Sequence, residues 1–268
     1  MTAASRSKSH RYALLGSGRL ARHLTHYFKT EGLEANAWAR RPDPAFNDVD
    51  VSVYHDARTR LEATVEPCTH VLILISDDAV EPFIRQHKFL RRKILIHCSG
   101  SLSLDEAQGI HPLMTFSHEL YAPEVYRHMP FVTDANGPGF ADLFPCLPNP
   151  SYEIAREKKA LYHAYCVASG NFTALLWEKV FQDFEAELGL PKAVLLPYMD
   201  RVFANLRSAD GVATGPLTRK DLKTIQRNLM ALDGKPLQDL YKAFLELCGI
   251  AWPSIDPASE PNLPSKQL

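Results

Sequence analysis

The stretch Tyr12-Ala-Leu-Leu-Gly-Ser-Gly-Arg-Leu-Ala-Arg-His23 limits the folds open to this chain more than any other. The short apolar run Ala13 to Leu15 leads directly into Gly16-Ser17-Gly18. Leu20, Ala21, Leu24 and Phe28 then recur at helical spacing. The order is strand, tight glycine turn, helix. Gly16 permits the sharp turn, Gly18 lets a ligand approach the main chain, and Ala21 fills the third small position of the G-x-G-x-x-G/A pattern. With Ser17, Arg19 and Leu20, these residues form a candidate cradle for a pyrophosphate, held by amide N–H groups and the positive end of the helix. The plain alternative is a tight turn with no ligand.

The chain has 268 residues and 46% apolar residues, enough for two domains with a sizeable core. A net charge of −1 gives no broad basic field, which argues against nucleic acid as a partner. Five cysteines are scattered with no C-x-x-C pair, so neither a disulfide framework nor a zinc site is indicated. The polar, basic start, Met1 to Arg11, does not read as a signal peptide. No apolar run is long enough to span a membrane. These features fit a cytoplasmic protein.

Glu34 to Ala39 reads as a second strand that ends in Arg40-Arg41. An acidic residue there would favour NAD by bonding the ribose hydroxyl, whereas two arginines favour NADP, with NAD as the lesser alternative. Solvated loop arginines are the plain reading. Further strands are expected over Asp50–Tyr54, Thr69–Ile75 and Lys93–Ile96. The first of the last two is an almost unbroken apolar run, and both suit a buried parallel sheet. Their ends, Ser76-Asp77-Asp78 and His97-Cys98-Ser99-Gly100-Ser101, would face a ligand crevice. Ser76, Asp78, Ser99 and Gly100 are therefore candidate cofactor contacts, with helix capping as the alternative for the serines and the aspartate. A helix is expected around Leu104 and Ala107. His111, held extended before Pro112, is a candidate acid/base group or a packed structural histidine.

Phe131–Thr133 reads as the last main strand and Tyr152–Ile154 as a short edge strand. Residues 134–150, with five proline and glycine positions between 137 and 148, read as loop or linker. From Glu157 the pattern is helical. Leu161, Tyr165, Ala168, Phe172, Leu175 and Leu176 form one apolar stripe. His163, Val167, Gly170, Asn171 and Ala174 share a second face of small residues with two polar groups. Tight helix packing is the alternative use of that face. The boundaries that follow are a dinucleotide-binding domain over 1–156, a helical domain over 157–252 and an extended tail over 253–268.

The chain resembles the Rossmann-like proteins that carry a C-terminal helical domain of unassigned function. These are distant relatives of pyrroline-5-carboxylate reductase, ketopantoate reductase and the β-hydroxyacid dehydrogenases. Gly16 to Ala21, His97 to Gly100 with His111-Pro-Leu113, Tyr162-His163 with Asn171, and Thr214-Gly-Pro216 with Arg219 and Asp221 carry the resemblance. It implies an α/β fold, a Rossmann-type doubly wound sheet followed by an all-α domain of the 6-phosphogluconate-dehydrogenase C-terminal type. It also implies a homodimer built through the helices. Hydroxyacid dehydrogenases and ketopantoate reductase use a lysine four residues before an asparagine on the first long helix. If Asn171 is that asparagine, Val167 stands where the lysine would be. Arg219-Lys220-Asp221 likewise replaces the Arg-Gly-Asp common in those relatives.

With no lysine, His163 is the expected proton donor, His111 the second candidate, and Asn171 the group that orients substrate. The leading expectation is an NADP-dependent oxidoreductase acting on a C=O or C=N bond of a small, anionic metabolite. A non-catalytic NADP(H) sensor and a dimeric interaction protein are the alternatives, and a deazaflavin is a further cofactor used by some relatives.

Overall fold

The computed structural model describes residues 10–40, 54–55, 61–208 and 214–251. Arg41, residues 50–53 and the tail from Pro253 lie outside them. The chain divides into two compact units, Met1–Glu178 and Lys179–Leu268.

The first unit is built on an eight-stranded sheet in the order β3-β2-β1-β4-β5-β6-β7-β8. Its strands are β1 (Tyr12–Leu15), β2 (Ala35–Trp38), β3 (Tyr54–His55), β4 (His70–Ile73), β5 (Ile94–His97), β6 (Gln108–Pro112), β7 (Phe131–Asp134) and β8 (Ser151–Ile154). All neighbouring pairs are parallel except β6 with β7. The sense of winding reverses between β1 and β4, which is where a doubly wound sheet opens a crevice at its strand ends.

Helix α1 (Arg19–Thr30) follows β1 and buries Ala21, Leu24, Tyr27 and Phe28 against the sheet. Leu14, Leu72 and Ile96 meet it from one face of the sheet. Ala13, Leu15, Val71 and Ile73 form a second apolar layer on the other face with Val80 and Ile84 of α3 (Asp77–Gln86). Burial on both faces explains the apolar runs Tyr12–Leu15 in β1 and Val71–Ile73 in β4. The short helix α2 (Leu61–Val65) precedes β4 and buries Leu61, Thr64 and Val65.

Two local expectations differ from the structure. Residues 104 and 107 are not helical, and the chain between β5 and β6 is irregular. Leu102 and Leu104 pack on the core from that loop, so their spacing served burial without forming a helix. Residues 134–150 are not a linker. Phe140 and Leu143 of α5 (Phe140–Leu143), with Phe144 and Leu147, belong to the main core, and α4 (Pro123–Arg127) packs beside them through Tyr126. Asn149 is buried, donates to the carbonyls of Tyr126 and Met129 at 2.6 and 2.9 Å, and accepts from the Tyr27 hydroxyl at 2.6 Å. The prolines and glycines bend the segment, and its aromatic residues anchor it.

A helical stretch, α6, runs over 159–188. It consists of Lys159–Cys166, a π-helical turn at Val167–Phe172, and Thr173–Leu188, whose last turns fall in the second unit. The rest of that unit holds α7 (Leu196–Arg207), α8 (Pro216–Arg219), α9 (Leu222–Ala231) and α10 (Pro236–Leu247). Its own core is small: Ile225, Leu229, Leu245 and Ile250, with Leu217 and Tyr241 against them. Asp221 caps α9, accepting from the Thr224 amide at 3.1 Å and its hydroxyl at 2.8 Å.

Candidate functional site

The ends of β1, β4, β5 and β6 and the first half of α6 enclose a cleft of about 1050 Å³, all within the first unit. That is at the upper end of the roughly 300–1,000 Å³ usual for ligand pockets. At one end stands the glycine turn. Gly16 has φ +152°, and a Cβ there would lie 2.2 Å from the Leu74 carbonyl oxygen, so the turn passes hard against the end of β4. Gly18 is different: a Cβ there would meet no atom within 4 Å. It caps α1 with no side chain, and the helix ladder starts with Arg22 N–H to Gly18 C=O at 3.0 Å. The amides ahead of that bond have no side-chain cap, and Ser17, Gly18, Arg19 and Leu20 line the cleft. Open space, uncapped amides and a helix N-terminus fit a bound phosphate.

The other end is built from side chains. The Ser99 hydroxyl donates to Asp77 Oδ2 at 2.5 Å and accepts from the Leu102 amide at 2.9 Å, tying the ends of β4 and β5 together. Gly100 is buried between two histidines. A Cβ on it would come within 2.5 Å of the His163 ring and 3.2 Å of the His111 ring. The two rings stand edge to face, their centroids 6.0 Å apart. His111 Nδ1 bonds the Tyr162 hydroxyl at 2.7 Å. Burial above all, then the neighbouring His163 and Lys159, hold the pKa of His111 down to about 4. Near neutral pH His111 is therefore an uncharged hydrogen-bonding group.

The π turn of α6 is wider than an α turn and brings an additional position to the cleft. His163, Val167, Gly170, Asn171 and Ala174, the face expected from α-helical spacing, all line it, and so do Cys166 and Ser169. Val167 lies in the wall as an apolar residue. Of the other expected contacts, Ser76 and Ser99 line the cleft, while Gly100 touches it only through the histidines. Asp78 is exposed outside the wall, and Asp77 takes the lining position. Arg40 is exposed beyond the end of β2 and does not line the cleft. Among the described lining residues the fixed charges are Arg19, at the glycine-turn end, and Asp77, at the histidine end. The anionic substrate expected from the sequence would thus meet a carboxylate near the histidines.

Sequence reasoning placed His97 only within a strand end facing the crevice and assigned no role to Asp134 or Lys159. His97 ends β5, is fully buried and lines the cleft. Lys159 Nζ and Asp134 Oδ1 form an ion pair at 2.7 Å, 3% and 1% exposed. A lysine opening a helix is ordinary in a sequence, and nothing local marks it as buried.

With this geometry, the comparisons fall into place. Residues 135–246 match a domain of unknown function, DUF2520. No curated protein is significantly similar in sequence. Among solved structures, a provisionally named NADP oxidoreductase from Bacteroides fragilis aligns with a TM-score of 0.73 at 21% identity, over 90% of this chain and 98% of its own. An imine reductase from a Pseudomonas species aligns at 0.58 and 17%, over 90% and 93%. The pyrroline carboxylate reductase of Plasmodium falciparum, solved with NADP bound, aligns at 0.56 and 13%, over 89% and 98%. The chain therefore has the fold the sequence suggested, a Rossmann-like domain followed by a helical domain.

Proposed function

We propose that this protein is an NADP-dependent oxidoreductase reducing a C=O or C=N bond of a small metabolite. The observation that carries the reading is the joining, in one cleft, of an open main-chain phosphate cradle at Gly18 with a histidine cluster at Gly100. The similar structures, among them an imine reductase and a pyrroline carboxylate reductase with NADP bound, support it. Gly16 to Leu20 would hold the pyrophosphate, and the positive charge of Arg40 and Arg41 after the second strand would favour a 2′-phosphate. A bound nicotinamide nucleotide would supply the hydride. His163 holds the proton that the reduced oxygen or nitrogen takes up, His111, itself held by Tyr162, packs against its ring, and Asn171 orients the reacting group.

The protein acts as a homodimer in this reading. The apolar stripe of α6 is exposed: Leu161 by 54%, Tyr165 by 66%, Phe172 by 61% and Leu175 by 61%. A stripe of that kind calls for a partner surface. Five free cysteines fit residence in a reducing cytoplasm, and no helix among the described residues is long and apolar enough to cross a membrane.

The test is a thermal-shift and calorimetric titration with NADPH, NADP and NAD, followed by a 340 nm screen with ketones, imines and keto acids. NADP is expected to raise Tm and at least one ketone or imine to be turned over. His163→Ala is expected to lower turnover by about 10²–10⁴ with nucleotide affinity kept. Nucleotide binding without any turnover would favour the sensor that Val167 suggests. No binding would end the reading.

A further inference from the structure

The five buried polar atoms behind the histidine end of the cleft carry an inference of their own. His97 is 0% exposed, and neither ring nitrogen has a hydrogen-bond partner among the described residues, yet the residue lines the cleft. It is paired in register with Gly109 of β6, so the two positions share one face of the sheet. A Cβ on Gly109 would lie 2.3 Å from Lys159 Nζ and 2.6 Å from both Asp134 carboxylate oxygens. The ion pair therefore rests directly on the strand neighbour of His97. Lys159 also begins the four-residue series Lys159, His163, Val167, Asn171 on α6, one face of that helix.

We propose that His97 is a binding residue of the cleft for an uncharged hydrogen-bonding group, a carbonyl or carboxamide, and that Lys159 keeps its buried ring uncharged by offsetting the Asp134 carboxylate. A neutral imidazole offers one N–H and one lone pair, which suits such a group, whereas a carboxylate would draw a proton onto the ring. The charges that face His97 come from several elements: Lys159 and Arg156 from the start of α6 and the turn before it, Asp134 from β7, and Asp77 from α3. Burial comes first and the Lys159 ammonium second in lowering its pKa to about 4, against the pull of Asp134 and Asp77. With the lysine removed, the Asp134 carboxylate would be left to stabilise a charged ring.

The experiment is NMR titration of the histidine rings in the full chain, wild type against Lys159→Met. The wild-type His97 ring is expected to stay neutral down to about pH 5, and Lys159→Met to move its titration up by about 1–3 pH units. Lys159→Arg should restore the wild-type curve. If Lys159→Met does not fold, the double variant Lys159→Met with Asp134→Leu removes both charges, and its His97 titration should stay near the wild-type value. A folded Lys159→Met with an unmoved His97 curve overturns the role of the pair, as does a double variant that titrates near pH 7. For the contact itself, NADP and then cyclohexanone are added, and the His97 ring nitrogens are expected to shift with one of them. This arm rests on the reductase reading. If NADP raises Tm and a ketone or imine is turned over but neither compound moves His97, the contact is overturned and the reductase reading stands. If NADP does not bind at all, the reductase reading falls while the lysine titration still decides the other half.

Discussion

The two ends of the cleft are made of different material. The glycine-turn end is main chain: Gly16 to Leu20, one strand end and one helix start, six residues from Gly16 to Ala21 in the sequence. The histidine end is side chain, with Asp77, Ser99, His111 and His163 arriving from four elements spread over 87 residues. The first is assembled by local backbone geometry and needs only that certain side chains be absent. The second exists only once the sheet has closed. An end built from main chain has no room for an added atom at Gly16, whereas an end built from side chains can be retuned one residue at a time.

The sharpest break of that comparison is at the two glycines of the turn. Gly16→Ala meets both a positive φ and a carbonyl 2.2 Å away, so the backbone itself must move. It is expected to destabilise the fold by about 3 kcal/mol or more. Gly18→Ala meets open space, is expected to cost about 1 kcal/mol or less as a poorer cap, and should lose nucleotide affinity instead. Urea unfolding and calorimetry on the two variants read the two effects separately. Equal loss of stability in both would mean that the turn is packed as a structural corner, with no cradle at Gly18.

At the histidine end the matching change is Gly100→Ala. The new methyl would meet His163 at 2.5 Å and His111 at 3.2 Å, both movable rings. Turnover is expected to fall by about 10²-fold with nucleotide affinity unchanged, since displacing a reacting group by about 1 Å costs that much. A kcat within twofold of the wild type would show that the proton comes from elsewhere in the cleft.

What could be read from the sequence divides along the same line. The turn, the buried strands and the small-residue face of α6 follow from short-range spacing. Asn171 was found because α-helical spacing still holds approximately across one π turn, while Ser169 and Cys166 were missed because nothing local marks that turn. Lys159 and Asp134 were missed because their partnership spans 25 residues and depends on β7 running against β6. The apolar stripe of α6 was legible as a stripe, but its exposure was not, since a helix pattern does not say which of two faces meets the sheet.

The pH dependence of stability tests how many histidines the fold keeps uncharged. His70, His97 and His111 each have a pKa lowered to about 4, chiefly by burial. In the unfolded chain they would bind protons near pH 6.5. Between about pH 6.5 and 4 the unfolded state therefore holds more protons, and stability must fall as pH falls. Each such histidine contributes a slope of about 1.4 kcal/mol per pH unit within that window and none above it. The urea midpoint is expected to be level from pH 8 to 7 and then to drop toward pH 4. A midpoint that stays level to pH 5 would mean that water reaches these rings in the folded protein.

The smallest expected effect belongs to Arg40, and it tests how far the cradle extends along the sheet edge. Arg40 is exposed at the end of β2, next to the strand that leads into the glycine turn. An exposed arginine facing a 2′-phosphate works through a screened charge, worth about 0.2–1 kcal/mol. Arg40→Ala is therefore expected to lower NADP affinity by about two- to fivefold, to leave NAD affinity unchanged, and to lose even that difference in high salt. Equal weakening of both nucleotides would move Arg40 from the ribose phosphate to the shared pyrophosphate. No change in either would leave the preference to Arg41 alone, and the main-chain end of the cleft would then bind with no help from a side chain at this position.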